Sequence, residues 1–179
     1  MRPPLWQQAA SFAARCHEHQ YRDDGETPYF SHPARVAMIV AQLFGCTDEA
    51  AIAVAFLHDT IENSDLGYDD LKADFGTDVA AMVVALTKNK MLSDAEGERD
   101  YLDRLARADW RVRLIKLADQ YDNYADTLTG LKHGSARQRQ KAKMIITLAT
   151  PDVPKHAPTR RAVGLLTALI KIKSKSKSR

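Results

Sequence analysis

An all-α fold is what this 179-residue sequence predicts. Two observations lead there: no segment sustains the two-residue alternation of a strand between turn residues, whereas apolar residues at helical spacing recur throughout. A third concerns size, since the length suits one domain with a full hydrophobic core and is too short to divide with confidence into two. A first helix is expected from Trp6 to His19 and a second from Pro33 to Phe44, where a first-turn proline loses no helical hydrogen bond. A third runs from Thr47 to His58, with Asp48 and Glu49 suited to the positive end of its dipole. Short helices follow at Tyr68 to Phe75 and Thr77 to Leu86, then Glu98 to Arg107 and a long one from Asp109 to Leu128. The last two are expected at Ser135 to Ala149 and Thr159 to Ile172. Loops fall at Asp23 to Ser31, Glu62 to Gly67, Asn89 to Gly97 and Pro151 to Pro158, the last being either the one candidate linker or a simple join between the last two helices.

Composition excludes more than it identifies. A hydrophobic fraction of 45% with 27% charged residues is that of an ordinary folded protein, and no apolar run is long enough for a membrane helix. The N-terminal residues lack the apolar core of a secretory signal, so the cytoplasm is the expected compartment. Cys16 and Cys46 read as reduced core thiols. The net charge of +3 is misleading, because the last nine residues carry five positive charges and leave residues 1–170 near −2. We therefore expect one globular domain over 1–170 and a disordered Lys/Ser tail over 171–179. The body has no basic stripe of the kind a nucleic-acid surface needs.

The chemistry centres on His58-Asp59, which ends the apolar run Ala50-Ala-Ile-Ala-Val-Ala-Phe-Leu57. A polar pair closing a core helix needs partners, because an uncompensated buried charge costs several kcal/mol. A divalent metal ion would be such a partner, and imidazole with carboxylate suits manganese, iron or zinc. His32, at the start of the second helix, and Asp119, after the run Val112-Arg-Leu-Ile-Lys-Leu-Ala118, stand in comparable contexts. Glu62 lies four residues beyond His58; if the helix continued it would share that face and act as general base on a metal-activated water.

Several stretches together resemble the hydrolase domain of RelA/SpoT-type alarmone enzymes, which belong to the all-helical HD class. They are Gly25-Glu-Thr-Pro-Tyr-Phe-Ser-His-Pro33, Phe56-Leu-His-Asp-Thr-Ile-Glu-Asn63, Leu86-Thr-Lys88, Arg99-Asp-Tyr-Leu102 and Arg113-Leu-Ile-Lys-Leu-Ala-Asp-Gln-Tyr-Asp-Asn123. They occur in that family's order over residues 6 to 150, with no synthetase or regulatory segment, so the chain is most similar to stand-alone small alarmone hydrolases of the metazoan SpoT-homologue kind. The resemblance implies an HD-type bundle of about eight to ten helices. It also implies manganese-dependent removal of the 3′-pyrophosphate from guanosine or adenosine alarmones, with the manganese ion held by His32, His58, Asp59 and Asp119. Glu62 and Asn63 fall at the family's catalytic Glu-Asp pair, and Arg22, Lys88, Asn123, Asp126 and Arg137 at substrate contacts, with Lys90 and Arg139 as further basic candidates.

Three departures stand out. Asn63 replaces the second catalytic acid, and an amide cannot serve as a base. Asp23 replaces the lysine that follows Arg22 in the family, which removes a positive charge near the purine. Gln120 and Asp122 replace the usual residues after the last metal carboxylate. The alternatives these leave open are an NADPH 2′-phosphatase, using the same metal and water, and a catalytically weakened nucleotide-binding module.

Overall fold

The structure, a computed structural model, describes residues 3–62, 64, 66–129 and 134–172. Eight α-helices lie among them: α1 (Leu5–Cys16), α2 (Ser31–Met38), α3 (Glu49–Leu57), α4 (Tyr68–Leu86), α5 (Asp94–Arg107), α6 (Trp110–Thr129), α7 (Ser135–Ala149) and α8 (Ala157–Leu169). A wider π-helical turn, Ile39–Leu43, extends α2. The nearest approach to a strand among the described residues is an isolated bridge between Tyr21 and Pro28, so the all-α expectation holds. No described helix is long and apolar enough to cross a membrane.

Two helices form the axis of the packing. α3 is apolar on every side, a pattern that only full enclosure satisfies; α1, α2, α4 and α6 pack around it. The Asp48 carboxylate caps it by accepting from the Ala51 amide at 2.8 Å. The longest helix, α6, sits against α2, α7 and α8, and its buried face runs from Val112 to Thr127. That face begins apolar, with Leu114, Ile115 and Leu117 fully enclosed, and turns acidic at Asp119, Asp122 and Asp126. The spacing of three and four residues puts these carboxylates on one side of the helix, at the depth of the core.

Most element boundaries match the sequence reading, and the exceptions have local causes. α1 stops at Cys16, and two residues past the capping His17, His19 takes a left-handed φ of 61°. α5 starts at Asp94, four residues before its expected start, because Gly97 is no breaker here. A Cβ on Gly97 would meet the Asn89 carbonyl at 3.5 Å and Leu92 at 3.7 Å, both ordinary contact distances, so the preceding loop packs against the helix at this buried position without requiring a glycine there. The stretch Pro151 to Pro158 is a packed corner and no linker. Asp152, buried in a 3₁₀ turn, takes a two-pronged bond from Arg113 at 2.6 and 3.0 Å, and Trp110 stacks on His156 at 4.1 Å. The expected tail falls almost wholly at 173–179, outside the described residues.

The pair of short helices expected on either side of Gly76 is present as α4 with a break at that residue, which has φ 84° and ψ 169°. Only glycine enters that region readily. Space is open around it, with nothing within 4 Å of an added Cβ, so Gly76→Ala isolates the backbone cost. It is expected to destabilise the fold by about 1–3 kcal/mol, lowering the melting temperature by roughly 2–4 °C per kcal/mol. A thermal melt that does not move would show that the kink relaxes without strain.

Candidate metal centre

Three helices converge on one buried point. α2 brings His32 in its first turn; α3 delivers His58 and Asp59 just past its last residue; α6 supplies Asp119 from its middle. α3 ends there because Thr60 turns back on Leu57, giving its carbonyl both an amide bond at 3.0 Å and a hydroxyl bond at 2.7 Å. Donor atoms of His32, His58 and Asp59 all lie within 4.8 Å of one another, an arrangement able to hold a metal ion. Asp119 adjoins this trio, its Oδ1 3.2 Å from His32 Nε2.

The ring nitrogens show which atoms are meant for a ligand. His58 Nδ1 donates to the Ala55 carbonyl at 2.8 Å, and its Nε2 is buried with no hydrogen-bond partner. A buried ring nitrogen so aimed, among carboxylates at 3.3 Å and beyond, fits a cation that displaces its proton. His32 is held in the same way: Nδ1 meets Asp122 Oδ2 at 2.6 Å, leaving Nε2 turned to Asp59 and Asp119. Asp122 is in turn gripped by Arg35 at 2.6 and 2.9 Å; Arg35 also reaches Asp126 at 2.9 Å, and Asp126 takes Arg22 at 2.7 Å. Asp59 is fixed by the Tyr29 hydroxyl at 2.7 Å. Asp119 takes Lys116 at 2.7 Å and bonds from Gln120 and Asn123.

These pairings set the protonation states. Burial alone would lower the His58 pKa, but the neighbouring Asp59 and Asp119 carboxylates overturn that and raise it to about 9. Burial would raise Asp119, and Lys116, His32 and His58 instead hold it well below the usual carboxylate range. Without metal, His58 is therefore charged at neutral pH, and an ion must displace its proton. Metal affinity is expected to fall about tenfold per pH unit as pH drops below about 9. The metal-free fold has the opposite slope: a raised histidine pKa stabilises below the unfolded value and loses that contribution as pH climbs through about 9. Metal titrations and metal-free melts over pH 6 to 9.5 check both signs. An affinity flat with pH would remove His58 from the ligand set.

The other expected residues divide into two groups. Arg22 and Asp126 are each 5% exposed and bonded to one another, with Arg22 also over the Tyr29 ring at 5.5 Å. Asn123 accepts from Arg22 at 3.3 Å while donating to Asp119, so all three lie behind the candidate metal donors. Glu62, Lys88 and Arg137 lie on the other side. α3 does not continue to Glu62 as expected; the residue sits in the turn that follows, its Oε1 accepting from the Lys88 amide at 2.7 Å and its carbonyl from Lys90 Nζ. Lys88, Lys90 and Arg137 border a cleft of about 690 Å³ between α5, α7 and the end of α4. Arg139 turns instead to the Tyr124 hydroxyl at 2.8 Å. Asn63 lies outside the described residues. Sequence reasoning missed Tyr29, Arg35 and Lys116; a lysine inside the buried run Val112 to Ala118 was the signal for the last.

The chain is similar to known proteins over most of its length. A family model described as an HD domain matches residues 9–148. Guanosine-3′,5′-bis(diphosphate) 3′-pyrophosphohydrolase MESH1 of Xenopus tropicalis is 36% identical over 133 residues, covering 74% of each chain. Its counterpart in Homo sapiens is 38% identical over 120 residues, covering 66% of this chain and 67% of that one. A solved structure of a metazoan orthologue of SpoT that hydrolyses ppGpp superposes with a TM-score of 0.78 at 28% identity, covering 94% of this chain and 96% of the other.

Proposed function

The chain belongs to the HD-domain family, in the branch of the guanosine-3′,5′-bis(diphosphate) 3′-pyrophosphohydrolases, and on that footing we propose that it hydrolyses the 3′-pyrophosphate of a purine alarmone. Water oxygen bonds to the phosphorus that carries the ribose oxygen, the bond to ribose breaks, and pyrophosphate and a nucleoside 5′-polyphosphate result. The observation that carries this reading is the contact between Asp119 and Lys116 at 2.7 Å, since Lys116 also lines a small cavity with Lys88 and Lys141, two residues that border the larger cleft.

His32, His58, Asp59 and Asp119 would hold a divalent ion, manganese in our proposal, which would supply a charge that acidifies water and neutralises phosphate oxygens. Glu62 is the proton acceptor: the Lys88 amide fixes one carboxylate oxygen, so the group is oriented before substrate arrives. Lys88 and Arg137 offset the charge of the phosphates. Arg22 and Asp126 act by position, as a buried pair that holds Asn123 against Asp119. Tyr29 and Asp122 orient Asp59 and His32. The cytoplasm is the proposed compartment, in keeping with two free cysteines.

The test is pyrophosphate release with manganese, offering guanosine and adenosine 3′,5′-bis(diphosphates) and NADPH in parallel. Release from an alarmone that stops on chelation and returns with metal supports the proposal. Phosphate release from NADPH alone would replace it with a monophosphatase, and silence on all three with metal bound would leave a nucleotide-binding module.

A further inference from the structure

One planar peptide group after α4 is bonded on both of its edges. Its N–H, that of Lys88, donates to Glu62 Oε1 at 2.7 Å, and its carbonyl, that of Thr87, accepts from Arg104 Nη2 at 2.9 Å. The unit is rigid, so the N–H cannot turn unless the carbonyl turns with it. It also stands where no helix holds it: α4 closes at Thr87, whose ψ of 131° carries the chain away, so neither polar group of this peptide belongs to the helical ladder. Arg104, on α5, supplies the missing hold. Its Nη1 meets the Val84 carbonyl at 3.0 Å while Nη2 meets that of Thr87, and Nε donates to Asp100 Oδ2 at 2.9 Å one turn back along α5, which aims the guanidinium fork. The Tyr101 ring, 5.7 Å from the guanidinium carbon, backs it.

Glu62 needs such support more than a helical residue would. It sits in the turn after α3, and among the described residues the Lys88 amide is the donor that meets its carboxylate. The Lys90 ammonium reaches only the Glu62 backbone carbonyl and does not orient the side chain. A cation on the carbonyl edge of a peptide also draws charge across it and strengthens the N–H on the opposite edge as a donor. We propose that Arg104 is a positioning residue for the proton acceptor: it fixes the Thr87–Lys88 peptide and through it sets where the Glu62 carboxylate points. The inference rests on the hydrolase reading above, in which Glu62 takes the proton of the attacking water. Among the described residues Arg104 bonds to Asp100, Val84 and Thr87 and to none of the candidate metal donors, so its effect on the reaction passes through this one peptide.

Arg104→Met, which keeps an apolar stem against Tyr101 and removes every donor, tests this alone and combined with Glu62→Gln, with pyrophosphate release from guanosine 3′,5′-bis(diphosphate) and manganese as the assay. Arg104→Met is expected to lower kcat by about ten- to a hundredfold, the scale of a misplaced catalytic group, with KM and metal affinity within about twofold. In the Glu62→Gln background it is expected to cost no more than about twofold, because two changes that act through one group do not add. Amide hydrogen exchange gives a reading without turnover: exchange at Lys88 is expected to rise by about tenfold relative to that at Leu117, a core amide of α6 that reports any general loosening. Undiminished kcat, a loss carried by KM or metal affinity, a loss repeated in full on Glu62→Gln, or an unchanged relative exchange at Lys88 overturns the proposal. If the wild-type protein releases no pyrophosphate the hydrolase reading falls, while the exchange at Lys88 still decides whether Arg104 holds this peptide.

Discussion

Replacing His58 with alanine is expected to strip the protein of its divalent ion and lower pyrophosphate release by about a thousandfold or more, the scale of losing several kcal/mol of charge stabilisation. The expectation rests on one atom. His58 Nε2 is buried and without a hydrogen bond, while Nδ1 is tied to the Ala55 carbonyl, so the ring is oriented to offer Nε2 to an ion that displaces its proton. Metal analysis of the purified variant beside a melt checks it, because a variant that keeps its fold and loses its ion isolates the ligand role. Full metal content in a folded variant would place the ion elsewhere.

Glu62→Gln is expected to lower turnover by about 10²- to 10⁴-fold with metal content unchanged. The amide keeps an oxygen to accept from the Lys88 backbone, so the turn and the start of the cleft stay in place and only the proton acceptor is lost. Undiminished turnover would show that another group takes the proton, and Asn63 is chemically unable to do so. Because the His58 variant loses metal and the Glu62 variant retains it, the two separate holding the ion from using it.

The candidate metal donors stand out in the sequence because they break a pattern. His58-Asp59 ends a fully apolar helix, and Asp119 interrupts a buried face, so each is conspicuous against what surrounds it. Their supports were not legible for a physical reason: Arg35, Asp122 and Tyr29 are ordinary residues in sequence, and their roles exist only where α2, α6 and the loop before α2 meet. Asp119, Asp122 and Asp126 do show their helical spacing in advance, but which cation faces each is a matter of tertiary packing. The cleft is a further step removed, since its charges come from α6, α7 and the end of α4. Helix boundaries failed where a residue's meaning depended on its surroundings, as at Gly97, which is buried inside α5 and interrupts no helix.

The packed corner at Asp152 bears on how far the chain can be shortened. Every metal donor and every cation of the cleft precedes Ala149, so a fragment ending there would carry the whole chemical apparatus. It would also leave Arg113 without Asp152, although that same guanidinium closes the end of α5 by donating to the carbonyls of Leu105 and Ala108 at 3.0 and 2.6 Å. The Tyr124 hydroxyl, which donates to the Ile172 carbonyl at 2.8 Å, would lose its acceptor, and Tyr124 stands on the helix that bears Asp119. The smallest unit able to fold is thus longer than the smallest unit that holds the reactive groups, and a minimal enzyme cut from this chain has to keep its last helix as scaffolding.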